Sequence, residues 1–564
     1  MKKITKFSRI FIVLFLFLTY SIFSQVTFQP PPPCQGTIWN GSNWSNGLPD
    51  INKAALFFGN FTILSDLTIC SIYVAPNFDV TVTSGTVLNV LDEVTVIYPG
   101  NLIFENNASL IQTNPNAFNS GSITYKRNTP LVSNFDYTYW SSPVQGQILS
   151  QIFNSNELPL FDKYFFWNAS APPAPSLANF YHSGNWANIV NSSSMNTANG
   201  YIIRGPQSFS TTNPGICHAS FYGTPNNGTL TTPMIGRNYV PSATTNPCVN
   251  TKINMNFIGN PYPSALDADS FLSDIANTSI VGGAIYQWSH NTQIAGVTVT
   301  AGDNLYNYTR NDYTVYNRLG GVGTGRISNA QPNSYQNSNR PNGKIAAGQG
   351  FFIQGINTTG GNATFSNDMR DPANTANNQF YKGAEVVSLV APITKNRIWV
   401  SIENPSSLEA IKPFKETLMG FATGATNGYD RAFDAKVFTA DPTINIYSLT
   451  SLTTVCEPLT IQGRALLSTF DVNDVIPLGY SVSVPSATTQ SFTLSAFGDG
   501  IFNNINGTQR YFLRESVIFN GIAQFNYYDI KNTPYTFTAT SNVTDNTSRF
   551  AIVFKAHNTK IKNT

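Results

Sequence analysis

Charge is what this chain has least of. Only 11% of its 564 residues are Asp, Glu, Lys or Arg, against about 25% in an ordinary soluble protein. The 32 basic and 30 acidic side chains leave a net charge of +2. Affinity for nucleic acid comes from clustered Lys and Arg, so a general nucleic-acid binder is excluded. Histidine is scarce too, with four residues in all, His182, His218, His290 and His557. None is spaced from another with an intervening Glu as a helical zinc protease requires. No G-x-S-x-G nucleophile elbow and no G-x-x-x-x-G-K-[ST] phosphate loop occurs. The run GGVGTGR (Gly320 to Arg326) has the glycines of a dinucleotide loop, but neither a buried strand before it nor a helix after it is expected.

Cysteine is sparse: Cys34, Cys70, Cys217, Cys248 and Cys456. No two lie at C-x-x-C spacing, and the adjacent Cys217-His218 has no second compact Cys/His group to complete a zinc site. Carboxylates are scattered. Glu403, Glu416, Asp430, Asp434, Asp267 and Asp269 are conceivable members of a glycosidase pair, but sequence spacing does not bring two of them to the about 5–9 Å that chemistry needs. Solvated or turn-capping roles compete for every one. Asp267 and Asp269, and Asp471 and Asp474, are the acidic loops that could offer oxygens to calcium. Neither follows the twelve-position loop, so no cofactor is expected and calcium alone stays open.

Long apolar runs are confined to the N-terminus. Lys2, Lys3, Lys6 and Arg9 precede the uninterrupted run Ile10 to Leu18, followed by a small and polar exit at Ser21 to Gln25. This pattern predicts a secretory signal peptide over 1–24. The run is shorter than the about 20 residues of a membrane-spanning helix, and no later stretch approaches that length, so no transmembrane span is expected. Residues 25–36 carry Pro30 to Pro33 and read as an extended spacer. Export permits disulfides. Proximity suggests Cys34–Cys70 and Cys217–Cys248 with Cys456 left over, although connectivity is not fixed by sequence.

Strand formers fill the rest. From 37 to 119 short β-branched segments alternate, with Ile69, Ile72 and Val74, then Val80 and Val82, Leu88 and Val90, Val94 and Val96, Leu102 and Phe104, and Leu110. Pro76-Asn77, Ser84-Gly85, Pro99-Gly100 and Asn106-Asn107 punctuate them. No helical period is present, which predicts a short parallel β-solenoid or β-roll, with an ordinary sandwich as the alternative. Residues 120–383 read as irregular and β-rich. PSALDADSFLSDIA is the best helix there, with Ser264 as cap and Leu266, Phe271, Leu272 and Ile275 on one face. The polar Gly/Asn/Ser-rich stretch from Leu319 to Lys344 reads as a mobile surface loop. Alternation sharpens over 384–556, where many short strands at hairpin spacing predict an antiparallel β-sandwich. Residues 557–564 read as a polar tail. The class is all-β.

Aromatics supply 13% of the chain. Trp39, Trp44, Trp186 and Trp288 sit beside Asn, Ser or Gly and are candidates for stacking on sugar rings. Tyr139, Trp140, Tyr262 and Trp399 are weaker ones. Core packing competes for all of them, because aromatic rings bury large areas and favour strands.

An ordered set of strings carries a family resemblance. It begins at WNGSNWSNGLPD (Trp39 to Asp50) and continues through ENNASLIQ (Glu105 to Gln112), ITYKRNTP (Ile123 to Pro130), DYTYWSSPV (Asp136 to Val144) and GYIIRGPQSF (Gly200 to Phe209). IGNPYPSALDADSFL (Ile258 to Leu272), IYQWSHN (Ile285 to Asn291), IAAGQGFF (Ile345 to Phe352), ATFSNDMR (Ala363 to Arg370), RIWVSIEN (Arg397 to Asn404) and GATNGYDRAFDA (Gly424 to Ala435) follow. Together they resemble large secreted Bacteroidota proteins, the cargo of the type IX secretion system that carries a type C sorting domain. The resemblance implies export by that machinery and an outer-surface or extracellular destination, and it assigns no catalytic residue. Such proteins usually continue past a strand like SRFAIVFK into a sorting sandwich. AHNTKIKNT reads instead as a polar basic segment, so type IX export is expected from the body of the chain. The functional expectation is a non-enzymatic secreted or cell-surface protein, adhesin-like or a matrix component, with surface proteins or polysaccharide as partners. An array of polysaccharide-binding modules and an unrecognised hydrolase are the alternatives.

Overall fold

The computed structural model describes residues 34–555 except 172–181, 237–252, 290–293, 295–307, 309–311, 325–339, 379, 381–392, 406, 408–412, 439–443, 451–457, 467–473 and 504–509. The expected signal peptide, proline run, polar tail and the boundary near 382–386 therefore lie outside the described residues, as do Cys248, Cys456, His290 and His557.

Three parallel sheets wind into a β-solenoid of about 4 turns near the N-terminus. Each of the three coils over 53–112 supplies one short strand to each sheet. Like stacks on like along the axis: Ala55 pairs with Ile72 and Ile72 with Val94, Val80 with Leu102 and Leu102 with Ile123, and Leu67 with Leu88 and Leu88 with Leu110. Ile72, Val80 and Val87 each meet a partner 22 residues further along the chain. The inward side chains of the three sheets fill one core from Ala55 to Leu110. Each such buried aliphatic contributes about 1.5–3 kcal/mol by leaving water. Corners are held by polar ladders. Asn60 Oδ1 accepts from Asp79 N at 2.9 Å, and Asn101 Nδ2 donates to Asp79 Oδ1 at 2.6 Å. Asn114 Nδ2 donates to Asp92 Oδ1 at 2.9 Å. Gly121 turns the last corner at φ +78°, where a Cβ would lie 1.8 Å from the Val96 carbonyl oxygen.

The strand Ile123–Val132 hands the solenoid to the middle of the protein. Its first residues extend a solenoid sheet in parallel, while its whole length pairs antiparallel with Gly215–Gly223. Beyond it lie a four-stranded sheet containing Tyr137–Trp140 and a six-stranded sheet containing Ile253–Gly259, Val281–Trp288 and Gly350–Gly355. The predicted helix forms over Ala268–Ser273 only. Asp267, not Ser264, caps it, its carboxylate accepting from Ser270 N at 2.7 Å. Ile275 is 90% exposed rather than on the buried face. The stretch from Leu319 to Lys344 is not a surface loop at its ends. Gly320–Val322 is a buried strand, and Leu319 and Lys344 are buried.

An eleven-stranded sheet closes the described chain. It is antiparallel except where Leu418–Ala422 runs parallel to Ile461–Ala465. The sheet curls over itself, so distant strands face each other across one core. Phe537 meets Tyr480 at 5.6 Å and Phe550 at 5.3 Å, and Phe421 meets Phe554 at 5.6 Å between ring centroids. Strand Lys395–Glu403 is buried on both faces. Ile398, Val400 and Ile402 enter this core, while Trp399 points the other way, into a cluster that also contains Phe257, Tyr286 and Phe352 of the middle sheets. The middle and C-terminal regions thus share a core.

Candidate functional site

The four tryptophans singled out for sugar stacking fall into two pairs. Trp39 and Trp44 lie 5.5 Å apart with their planes at 48°, wedged against Phe57 and Phe61. Trp39 Nε1 donates to the Asn60 carbonyl at 3.0 Å. Both are half-buried and close the first coil of the solenoid core. Trp186 and Trp288 converge on Tyr139, 102 residues apart in sequence. Trp288 stacks on Tyr139 at 5.9 Å and 15°, and Trp186 meets it edge-on at 69°. Tyr139 also hydrogen-bonds the Tyr313 hydroxyl, and burial drives its own hydroxyl far above the ordinary range. Trp288 is 8% exposed and Trp186 half-buried against Trp167, Phe257 and Phe352. Neither pair presents a coplanar exposed strip. Trp140 and Tyr262 are buried, and so is Trp399.

A second assembly, of which the sequence singles out as candidate site residues only Asp267, Asp269 and Tyr262, joins three of the strings quoted above. Asp267 and Lys344 are paired across two short antiparallel strands. Lys344 Nζ lies 2.6 Å from Asp267 Oδ2 and also contacts Asp371 Oδ2, and all three side chains are at most 3% exposed. Burial alone would raise the Asp267 carboxyl, but the Lys344 ammonium and the Ser270 N–H outweigh it and hold it below the usual range. Asp269, 8% exposed, is raised by burial and then by the charge of Asp267, and it accepts from the Tyr316 hydroxyl at 3.0 Å.

Beside this triad, Arg370 threads through to the solenoid. Its Nε donates to Ser264 Oγ at 3.1 Å, its Nη2 to the Leu110 carbonyl, and its guanidinium lies 4.8 Å from the Tyr262 ring centroid. Burial pulls its pKa down to about 10. Leu110 N is in turn held by the Pro263 carbonyl at 2.8 Å. Asn260 Nδ2 gathers the carbonyls of Ser264, Ile345 and Ala346 at 2.8–3.2 Å. Arg127, wholly buried, reaches Asn107 Oδ1 at 3.2 Å and the Asn377 carbonyl at 3.1 Å. Ser264 is thus occupied by Arg370, and the helix cap passes to Asp267.

Glu416, Asp430, Asp434 and Asp474 are likewise bound within the fold. Glu416, 3% exposed, pairs with Arg340 at 2.5 Å. Asp434 accepts from Gly463 N at 2.6 Å and from Asp430 N, and Asp430 accepts from Thr426 N. Asp474 meets Arg464 at 2.5 Å, and Asp471 lies outside the described residues. Among the described residues no group of three or more His, Cys, Asp or Glu is placed to hold a metal ion. No described helix is long and apolar enough to cross a membrane.

Cys34 and Cys70 form a disulfide with 6.0 Å between Cα atoms. Cys248, the suggested partner of Cys217, lies outside the described residues, and Cys217 is a buried free thiol. Strand alternation turns it inward beside Ala219 and Phe221, where burial and then Glu157 push its pKa up. His218 on the opposite face meets Glu157 at 3.0 Å.

One loop titrates near neutrality. Asp136, 7% exposed, is raised by burial to about 6, against which the Ser133 hydrogen bonds work. A raised carboxyl means the folded state keeps a proton that the unfolded chain releases. Stability therefore falls as pH rises from about 4 to about 6 and then levels. Asp136→Asn is expected to remove that slope and to stabilise the fold at pH 7 by up to about 2–3 kcal/mol. Urea unfolding of both chains at pH 4.5 and pH 7 checks it, and equal slopes would refute the assignment.

A solenoid fused to sheets that share their cores defines one continuous β-architecture, and sequence comparison treats it as one unit. The chain belongs to the family described as Domain of unknown function (DUF8693), which matches residues 35–554. No curated protein and no solved structure matches it.

Proposed function

We propose that this is a non-enzymatic protein of the outer cell surface or extracellular space, adhesin-like or a matrix component, exported by the type IX route. The observation that carries the non-enzymatic part is the fate of the acidic side chains. Asp267, Asp371, Glu416, Asp430, Asp434 and Asp474 are each bound to a cation or to backbone N–H groups within the fold. A general acid or nucleophile must instead face an open site with its pKa tuned to the reaction. The Cys34–Cys70 bridge supports export, because such bonds persist in oxidising compartments. The basic and apolar pattern of residues 1–24 supports it independently.

Protease shaving of intact host cells, followed by mass spectrometry of the cell, periplasmic and medium fractions, tests this. Peptides of this chain are expected in the shaved or medium fraction. Retention of the whole pool in the cytoplasm or periplasm would refute the surface assignment.

A further inference from the structure

The end of the eleven-stranded sheet carries an unusual ribbon. Strand Ile522–Tyr528 is the terminal strand in that sheet's order and, among the described residues, pairs only with Arg510–Phe519. The latter is flanked by Val543–Lys555 over Arg510 to Glu515 alone. Residues 516–519 and 522–525 therefore form a two-stranded ribbon that stands clear of the sheet. Asn520 at φ 51° and Gly521 at φ 78° make its two-residue turn. A bare two-stranded hairpin is marginal in water, yet this one exposes large apolar side chains on both faces. Ile518 is 80% exposed, Phe519 61%, Ile522 67% and Phe525 48%.

The free edge is built without the usual protections. Natural edge strands carry charge, proline or bulges that prevent pairing with another chain. Residues 516–528, SVIFNGIAQFNYY, contain no charged side chain and no proline, and the pairing runs from Leu513–Tyr528 to Phe519–Ile522 without a bulge. In a two-residue hairpin the closing pair, Phe519 and Ile522, exchanges backbone hydrogen bonds. Alternation then turns the N–H and C=O groups of Ala523 and Phe525 away from the ribbon, along the open edge.

We infer that this edge is a homodimerisation site, where Ile522–Tyr528 pairs antiparallel with the same strand of a second copy. The sequence is self-complementary in that register. A two-fold axis at Gln524 sets Gln524 against its counterpart, Ala523 opposite Phe525, Phe525 opposite Ala523, and Ile522 opposite Asn526. Small meets large, amide meets amide, and no like charges are opposed. The nearest charge to the edge is Arg514 on the inner strand, its guanidinium 4.6 Å from the Phe525 ring centroid, so the edge strand itself sets no like charges opposite each other when two copies meet. Dimerisation adds a third and fourth strand to each ribbon and covers Phe525 and Ile522. The inference does not depend on the route of export.

Gln524 is exposed, so its substitution leaves the folded chain intact. Light scattering and sedimentation of the exported protein are expected to give a doubled mass at micromolar concentration. Gln524→Lys and Gln524→Glu are each expected to be monomeric, with unchanged thermal midpoints. Mixing the two restores the doubled mass, because the repelled like pairs become an attractive unlike pair. Gln524→Cys is expected to give a disulfide-linked dimer in air, since the residues at the axis form a close non-hydrogen-bonded pair. A wild-type chain that stays monomeric, a Gln524→Lys chain that still dimerises, or a Gln524→Cys chain that associates without forming the cross-link each overturn the proposal.

Discussion

Lys344→Met is expected to lower the stability of the fold by about 3–5 kcal/mol, because it strands two carboxylates in a dry site. Asp267 and Asp371 both contact the Lys344 ammonium, and none of the three side chains is more than 3% exposed. The diagnostic comparison is the triple variant Lys344→Met, Asp267→Asn, Asp371→Asn. Removing all the charges together is often close to neutral, so the triple variant is expected to recover most of the loss. Urea denaturation at pH 7 measures both, and a triple variant no more stable than the single one would refute the ion-pair assignment. The pH sign follows from Asp267. Its carboxyl is held below the usual range, so its contribution is complete above about pH 4, the unfolded value, and is lost as pH falls through the lower folded value.

Cys70→Ser is the second large effect. The bridge from Cys34 closes a loop with a sequence separation of 36. Loop-closure entropy for that length corresponds to about 3–4 kcal/mol. The strand Gln35–Trp39, which begins beside Cys34, is paired along one side to Lys53–Phe57 and is otherwise held by the tryptophan wedge. Loss of the bridge is therefore expected to free the first strand before the later coils unfold. Hydrogen exchange checks this. Protection should fall over 35–44 and persist over 87–112. Uniform loss across the solenoid would show instead that the coils unfold as one block.

The solenoid was legible in sequence because its inward residues are β-branched or aliphatic and alternate within each short strand. Its period was not. Ala55 and Ile72 are partners 17 residues apart and Leu102 and Ile123 are 21 apart, and only the step between those coils keeps 22 in every sheet, so one regular step is too little for a repeat to show. The corner ladder of Asn60, Asp79 and Asn101 steps by 19 and then 22 residues, the same irregularity carried in polar side chains. The curled C-terminal sheet was legible from its alternation, but its second buried face was not. Trp399 reads as core in either case, and only the structure shows that it belongs to a different core from Ile398 and Val400.

The tryptophans were the most visible candidates and the polar latch was the least. Trp186 and Trp288 stand out by composition, and their convergence on Tyr139 is set by pairings that no local pattern encodes. Nothing local in the sequence marks Lys344, Arg370 or Asp371 as partners. They meet because NPYPSALDADSF, GKIAAGQGFF and FSNDMRDP fold onto one another. The network thus takes in Asp267 and Arg370 from the strings that carry the family resemblance, and Lys344 and Asp371 from the residues flanking them.

Coil stacking has a consequence for how this architecture tolerates changes in length. Each coil touches only the one above and the one below, so interactions add between nearest neighbours. Insertion of a whole 22-residue unit between the coils that begin at Ile72 and Val94 preserves every stacking register, and shifts the far end by only about 4.8 Å. A one-residue insertion within a strand instead turns its inward face outward. The last coil is exempt from this freedom, because Leu110 is fastened to Pro263 and Arg370. The solenoid is therefore a spacer adjustable in discrete steps at its centre and anchored at the end that meets the sheets.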